Sequence, residues 1–291
     1  MDTSLEKYAR NILLFGKEGQ ERLLGTTALI VGGGGLGSAL AQHLALMGVG
    51  HIMIAEFDLL DTTNRNRFIG ARATDPDGSR KLDLIARYIH EINPDIKVTP
   101  IPGRLESVEV FDAVRKADWV FGGFDHDGPR SILNELCAAY ERPYIDMASD
   151  VPDPDGKAYG GHVFVSRNGD GCLHCMGLLD GDAIRKYLTN EADLRREAAV
   201  YGIDRPVLGT TGPSVSPING VIAGLAATEF MVAVTGMRDT ARLIHYRGHQ
   251  SVVTKSRDEP SPHCLICKGI WGTGDAANVY RYLNIPHLKA A

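Results

Sequence analysis

The sequence lacks an uninterrupted apolar span, an export signal and an excess of charge of either sign. Its longest apolar stretch, residues 218–234, contains Asn219 and Glu229, and a charged side chain in mid-span would be costly in a bilayer. The first residues, MDTSLEKYAR, contain no apolar region of the kind that directs secretion. We therefore predict a buried core helix over 218–235 and a cytoplasmic protein that does not bind membranes.

The charge balance is close to neutral, with 31 Lys+Arg against 36 Asp+Glu and a net charge of −5. This balance gives no reason to expect a nucleic-acid partner. The chain is 44% hydrophobic and 23% charged, which is typical of a globular protein and argues against a disordered one. Any anionic ligand must then be held by a few local cations.

Cysteines are few, and four of the five lie in two CxxC pairs, Cys172 with Cys175 and Cys264 with Cys267. Paired CxxC motifs are typical of tetrahedral Zn²⁺, because each pair offers two thiolates on one tight turn. Four thiolates fill the coordination shell, so we predict a structural zinc site; a redox pair and disulfides are the alternatives. The fifth, Cys137, lies on an apolar helix face and is predicted to be an inert buried thiol.

Short apolar runs alternate with longer periodic stretches in the first half of the chain. This β-α-β order predicts an α/β protein with a Rossmann-like, doubly wound, mainly parallel sheet and helices on both faces. The predicted strands are 27–31, 51–57, 96–101, 118–123 and 143–148, and the predicted helices are 36–48, 79–92, 105–116 and 129–141.

The pattern changes after residue 150. We predict a turn at 153–156, a strand at 161–166, a charged helical stretch at 182–200 and a hairpin at 243–253 around Gly248. No flexible spacer marks this change. We therefore expect residues 1–150 to form a nucleotide-binding half and residues 151–291 a substrate-binding, zinc-containing half of the same compact unit, with a zinc-pinned C-terminal extension.

A glycine-rich loop follows the first predicted strand. Gly32, Gly34 and Gly37 fit the G-x-G-x-x-G pattern, with Gly35 in the same run, and the loop leads directly into a helix whose N-terminus can bind phosphate. Asp58 ends the next strand, where a carboxylate can accept a hydrogen bond from a ribose hydroxyl. The loop predicts a nucleotide site; the alternative is a tight turn with a capping carboxylate.

Polar and basic residues lie where they could surround that nucleotide. Asn64 and Arg67 follow the second strand, Lys81 opens a helix, Asp125 ends the fourth strand, and Arg10 lies in the N-terminal segment. A triphosphate with Mg²⁺ needs several cations and a carboxylate, and ligands bind at the carboxyl ends of parallel strands. Taken singly, each residue fits a solvated or capping role; only their joint arrangement favours binding.

Five segments resemble the ThiF/MoeB/HesA family, bacterial relatives of the ubiquitin-activating enzymes. They are YARNILLFGKEGQERLL, VGGGGLGSA, FDLLDTTNRNRF, KLDLIARYIHEINP and GGFDHDGPR. The resemblance covers residues 5–150 closely and the rest in outline. It implies an adenylyltransferase that uses ATP and Mg²⁺ to activate the C-terminal carboxylate of a ubiquitin-like or sulfur-carrier protein or, in some relatives, of a short peptide. Many family members also carry a Cys₄ zinc.

Matched residue by residue, the resemblance implies a role for each part of the site. The glycine loop, with Gly32, Gly34 and Gly37, would cradle the phosphates, and Asp58 would hold the ribose. Asn64, Arg67 and Lys81 would contact the triphosphate, and Asp125 would bind the magnesium. Arg10 matches a family arginine that reaches the triphosphate of the other subunit, which implies a homodimer.

The chain departs from the family at one functional position. Members that form a thioester or persulfide place a reactive cysteine before the apolar helix, whereas the stretch RPVLGTTGPSVSP holds Thr210, Thr211, Ser214 and Ser216 and no cysteine. We therefore predict that the reaction stops at the acyl-adenylate. The alternatives are a full activating enzyme that passes its substrate to a conjugating partner, an NAD-dependent dehydrogenase and a non-catalytic scaffold.

Overall fold

A computed structural model describes residues 3–150, 157–194, 196 and 213–289, and eight strands there form one sheet. The strands are β1 (Thr27–Val31), β2 (His51–Glu56), β3 (Lys97–Pro102), β4 (Trp119–Gly122), β5 (Tyr144–Asp150), β6 (Gly160–Ser166), β7 (Leu243–Arg247) and β8 (Val252–Lys255). Their order is β3-β2-β1-β4-β5-β6-β7-β8. The first five strands pair in parallel, and β6 to β8 extend the sheet in antiparallel fashion.

Helices cover both faces of this sheet. They are α1 (Ala9–Gly25), α2 (Gly35–Met47), α3 (Lys81–Ile92), α4 (Val108–Lys116), α5 (Asp127–Ala139), α6 (Gly181–Leu188), α7 (Ser216–Thr235) and α8 (Pro286–Lys289). Residues of α2, α3 and α7 build one hydrophobic core with the sheet, and residues of α4 and α5 build a second core on the opposite face. The predicted doubly wound α/β architecture is confirmed.

Several predicted boundaries shift by a few residues. The helix predicted from residue 105 begins at Val108, because the Ser107 hydroxyl caps it by accepting from the Val110 N–H at 3.3 Å. Of the charged stretch predicted over 182–200, α6 and residues 191–194 and 196 are helical. The prediction is wrong at Thr189 and Asn190, which are not helical, since α6 ends at Leu188 and Thr189 is extended. Residues 195 and 197–200 and the turn predicted at 153–156 lie outside the described residues.

Helix α1 has no counterpart among the predicted elements. Two of its leucines, Leu13 and Leu14, are 87% and 60% exposed, so its apolar residues do not follow the pattern of a helix with one buried face. The helix is anchored at its end, where the Arg22 guanidinium donates to the Thr235 carbonyl oxygen at 3.2 Å. An exposed apolar surface of this kind is typical of an interface.

Helix α7 is long and apolar enough to cross a membrane by length and composition, but half of it is buried inside the protein. Its Phe230 ring packs edge-on against Trp119 and Phe121 of β4, at centroid distances of 5.6 and 5.4 Å. Its one charged residue, Glu229, is buried and accepts from Arg238 at 2.6 Å. The prediction of a core helix is confirmed.

The segment after Cys267 folds back onto α4 and α5. Arg281 and the Tyr282 hydroxyl both donate to the buried Glu135 carboxylate of α5, at 2.7 and 2.6 Å, and the ring of Tyr280 lies 5.8 Å from that of Phe111. The segment is therefore part of the hydrophobic core on that face.

Candidate functional site

The glycine loop makes a turn that few other residues would allow. Gly32 has a φ of +92°, a conformation that favours glycine. A Cβ at Gly37 would collide with the Gly32 carbonyl oxygen, whereas a Cβ at Gly34 would meet nothing within 4 Å. The open side of the loop therefore lies at the N-terminus of α2, where free N–H groups and the helix dipole favour an anion.

Glu56, which the sequence analysis did not single out, holds this loop in place. Its buried carboxylate accepts from the Gly33 N–H at 2.7 Å and from the Phe57 and Asp58 N–H groups at 2.8 Å. Burial raises the pKa of Glu56, against the opposing effect of these hydrogen bonds. The side chain ties the glycine loop to the end of β2. The sequence does contain a signal for this role: Glu56 is an acidic residue at the end of an otherwise apolar strand.

Asp58 and Lys81 meet directly. The Lys81 ammonium donates to the Asp58 carboxylate at 3.0 Å, and the two backbones also bond, since the Lys81 N–H donates to the Asp58 carbonyl oxygen at 3.1 Å. Lys81 is buried and Asp58 is half exposed. The pair places a cation and a carboxylate at the end of β2.

Arg67 lies beside the start of α2, while Asn64 stabilises a turn. A Cβ at Gly35 would lie 3.3 Å from the Arg67 Cγ, and the Arg67 guanidinium donates to the Thr63 carbonyl oxygen at 2.7 Å. Asn64 accepts from the Asp61 N–H at 3.4 Å in a capping box. The structure therefore brings Arg67 to the glycine loop and gives Asn64 a local partner.

Asp125 lies beside the glycine loop, at the carboxyl ends of the parallel strands, and Arg10 does not. A Cβ at Gly32 would lie 2.8 Å from the Gly123 carbonyl oxygen, so the loop that carries Asp125 touches the glycine loop. The Asp125 side chain is 73% exposed, which leaves its oxygens accessible to a ligand. Arg10 is exposed on α1, and no contact among the described residues joins it to this group.

Asn219 is a second residue that the sequence analysis did not assign to the site. It is 2% exposed in the first turn of α7, and its amide lies against Gly35, where a Cβ would collide with Nδ2. Nδ2 donates to the Ser214 hydroxyl at 3.2 Å, while Oδ1 has no partner among the described residues. It links the start of α7 to the glycine loop, a contact that no local pattern indicates.

The four paired cysteines form one cluster, as predicted. All of their Sγ atoms lie within 4.8 Å of one another, and the Sγ atoms of Cys172 and Cys264 are 3.6 Å apart and those of Cys175 and Cys267 3.9 Å. Four sulfurs at about 2.3 Å from one tetrahedral ion would be about 3.8 Å apart. The cluster can therefore hold a metal ion, and no disulfide joins any of the five described cysteines.

Cys137 is remote from this cluster and from solvent. It is 2% exposed, and burial raises the pKa of its thiol far above the ordinary value. A thiol that stays protonated is a poor nucleophile. The prediction that this thiol is buried is confirmed; its inertness stays a prediction.

Comparisons with known proteins bear on the family and the fold of this chain. A family model described as the ThiF family matches residues 8–266. The SAMP-activating enzyme E1 of Haloferax volcanii is 34% identical over 54% of this chain and 61% of that protein. The sulfur carrier protein ThiS adenylyltransferase of Escherichia coli is 31% identical over 92% of this chain and 97% of that protein. A crystal structure of E. coli MccB with MccA-N7isoASN has a TM-score of 0.69 at 21% identity, covering 90% of this chain and 75% of that chain, and so shares the fold.

Proposed function

Because the chain belongs to the ThiF family of ATP-dependent adenylyltransferases, we propose that it activates the C-terminal carboxylate of a ubiquitin-like or sulfur-carrier protein. The observation that carries this proposal is the convergence of the glycine loop, Arg67, the Lys81–Asp58 pair and the Asp125 loop at one edge of the sheet. The products would be an acyl-adenylate and pyrophosphate.

The chemistry requires charge neutralisation more than proton transfer. The substrate carboxylate attacks the α-phosphorus of ATP; an O–P bond forms, the bond to the β-phosphate oxygen breaks, and pyrophosphate leaves with that electron pair. The nucleophile is already ionised, so no general base is needed. Arg67 and Lys81 would offset the charge of the phosphates, and preorganised cations lower such a barrier without reorganising. Asp58 would accept from the ribose and Asn64 would contact the phosphates.

The residues present fit the two metals that the family implies. Mg²⁺ prefers oxygen ligands and binds through one or two carboxylates together with substrate phosphates; the exposed Asp125 carboxylate offers one such ligand. Bound there, Mg²⁺ would neutralise charge on the phosphates. The four-cysteine cluster supplies a full thiolate shell for Zn²⁺, which would pin the C-terminal segment to residues 172–175 without an open position for catalysis.

The proposal also includes a homodimer and separate roles for the two halves of the chain. Arg10 would reach the triphosphate of a second subunit. Three leucines of α1 and α2 are exposed, Leu13, Leu14 and Leu46, and exposed apolar side chains of this kind support a homodimer through these helices. Residues 1–150 would bind the nucleotide and residues 151–291 the substrate, within one compact unit in the cytoplasm. The sheet that continues from β5 to β6 supports that unity.

The absence of a cysteine between Cys175 and Cys264 favours an enzyme that stops at the acyl-adenylate. A chain that passed its substrate to a conjugating partner would need a nucleophile of its own or the partner's thiol. Adenylation of a short peptide remains the second candidate, favoured by the likeness of the fold to MccB, which was crystallised with MccA.

The experiment is ATP–pyrophosphate exchange with candidate substrates: small proteins ending in Gly-Gly, and short peptides with a free C-terminus. We expect Mg²⁺-dependent exchange with a Gly-Gly protein and none when that carboxylate is amidated. Exchange with peptides alone would favour the second candidate. Stabilisation against heat by NAD but not by ATP with Mg²⁺ would overturn the proposal.

A further inference from the structure

A buried ion pair lies beneath the loop that carries Asp125. The Arg130 guanidinium donates to the Asp146 carboxylate, from one terminal nitrogen at 2.6 Å and from Nε to both oxygens at 3.2 Å. Asp146 is 0% exposed and Arg130 is buried. Removing two charges from water is costly, so such a pair persists only where it is fully hydrogen-bonded. Neither residue belongs to the nucleotide or cysteine sites described above.

The pair fixes the point where the Asp125 loop begins. Strand β4 ends at Gly122, which lies opposite Asp146 in the parallel ladder. The Tyr144 hydroxyl donates to the Asp146 carboxylate at 2.7 Å, and the same hydroxyl lies so close to Gly122 that a Cβ there would meet it at 2.5 Å. The end of β4 is therefore in direct contact with the buried hydrogen-bond network of Tyr144, Asp146 and Arg130.

The pair also fixes the point where the loop ends. A terminal nitrogen of Arg130 donates to the Asp127 carboxylate at 2.6 Å, and Asp127 is the first residue of α5. The other Asp127 oxygen accepts from the Asp180 N–H at 2.7 Å, and Asp180 caps α6. Both ends of the loop 123–126 are thus held by one guanidinium and its carboxylate partners.

Asp125 itself has no comparable anchor. Its carboxylate is 3.9 Å from the His126 ring nitrogen, and no hydrogen bond to it is found in the described part of the chain. On the far side, the network reaches β6, where His162 Nε2 lies 3.0 Å from the Arg130 guanidinium. The position of Asp125 therefore depends on the backbone of its loop, and the loop depends on Arg130 and Asp146.

We propose that Arg130 and Asp146 are positioning residues that hold the Asp125 loop in the conformation that meets the Mg²⁺ of bound ATP. This inference rests on the proposed function, because it takes Asp125 as the magnesium ligand. A carboxylate that must meet a cation with strict octahedral geometry gains from a loop fixed at both ends. If the pair served packing alone, its loss would lower stability and leave the Mg²⁺ dependence of binding unchanged.

The test compares Asp146→Asn and Arg130→Met with Glu135→Gln, which removes another buried ionic contact of α5, with Arg281 and Tyr282. Calorimetry measures ATP binding over a MgCl₂ series and AMP binding in EDTA. We expect the Mg²⁺ concentration for half-maximal ATP binding to rise at least about fivefold in the two site variants, with AMP affinity within about twofold of wild type. Glu135→Gln should match wild type in both. Unchanged Mg²⁺ dependence, or an equal loss of AMP affinity, would overturn the proposal.

Two further measurements keep the test decisive if a variant folds poorly. Arg130→Lys keeps the charge but cannot form the paired contacts, so we expect an intermediate Mg²⁺ requirement. Hydrogen exchange of the nucleotide-free protein should be faster at residues 123–127 in Asp146→Asn and Arg130→Lys than in Glu135→Gln; equal exchange would contradict the proposal. Asp125→Asn serves as the benchmark: if it leaves Mg²⁺ dependence unchanged, the magnesium assignment in the proposed function fails independently.

Discussion

Lys81 and Asp58 form one unit, with the ammonium 3.0 Å from the carboxylate and the two backbones hydrogen-bonded. The contact joins the start of α3 to the end of β2. Because Lys81 is buried, its charge needs the carboxylate as a partner. Loss of either residue would change both the charge of the site and the alignment of two elements.

Lys81→Ala should strongly slow acyl-adenylate formation while the fold persists. Loss of one preorganised cation costs about 3 kcal/mol of barrier, roughly a hundredfold in rate. Exchange of pyrophosphate into ATP measures it, and Arg67→Ala should behave alike. Arg80→Ala is the matched control, because that neighbouring side chain is exposed and pairs only loosely with Asp83 at 3.6 Å; its rate should stay near wild type. Near-normal exchange in Lys81→Ala would show that Lys81 does not take part in the reaction.

Glu56→Gln should loosen the glycine loop. A glutamine amide offers one oxygen where the carboxylate accepts from three N–H groups on two sides, so at least one buried donor loses its partner, at a cost of about 1–3 kcal/mol. We expect a lower melting temperature and weaker ATP binding by calorimetry. Glu141→Gln, at an exposed position, should change neither. Equal melting temperatures in Glu56→Gln and wild type would mean that the glycine loop keeps its conformation without the Glu56 carboxylate.

The cysteine cluster should contain one zinc per chain. Cys264→Ser should lose the metal and unfold at lower temperature, because four thiolates hold the C-terminal segment to residues 172–175. Elemental analysis and thermal unfolding measure the two effects. Cys137→Ala, outside the cluster, should keep its zinc. Full zinc in Cys264→Ser, or an iron–sulfur absorption in the wild type, would refute the assignment.

The contribution of Asp146 to stability should disappear in acid. Burial disfavours the charged form of Asp146, but Arg130 and His162 outweigh it and hold the pKa of that carboxyl well below its usual value of 3.8. An acid whose pKa is lowered by folding stabilises the protein above its unfolded pKa and loses that effect as the pH falls toward the folded one. Urea unfolding should show a wide gap between wild type and Asp146→Asn at pH 6 that narrows below pH 4. A constant gap would contradict the lowered pKa.

Arg10 should act across the subunit interface. Arg10→Ala and Lys81→Ala should each be inactive alone, yet a mixture refolded together should regain up to about a quarter of wild-type exchange, because half of the dimers would carry one complete site. Leu13→Asp should dissociate the dimer, as measured by sedimentation. No recovery on mixing, with dimers intact, would place Arg10 outside the partner's site.

Most of the sheet could be predicted from the sequence because it is encoded locally. The apolar runs at 27–31 and 51–57 and the glycine loop between them define β1, β2 and the turn with little help from the rest of the chain. Helix α1 could not be predicted in the same way. Its exposed leucines fit no pattern with one buried face, and α7, the helix it packs on, lies far away in the sequence.

The candidate site also contains residues that local sequence patterns indicate and residues that depend on distant contacts. Motifs with fixed spacing indicated the glycine loop and the two cysteine pairs, and the structure brings each set together. Glu56, Asn219 and the Arg130–Asp146 pair were missed, because their importance lies in contacts with backbone groups or with residues distant in sequence. Arg10 remains a prediction that depends on a second chain.

Strand β5 has a parallel neighbour on one side and an antiparallel one on the other. A polypeptide cut after residue 150 would leave Tyr144–Asp150 as a bare edge, with apolar residues such as Met147 exposed to other chains. The glycine-loop half is therefore not expected to fold as a separate module. If the proposed division of roles holds, nucleotide binding and substrate binding would have to be produced, and inherited, together in one polypeptide.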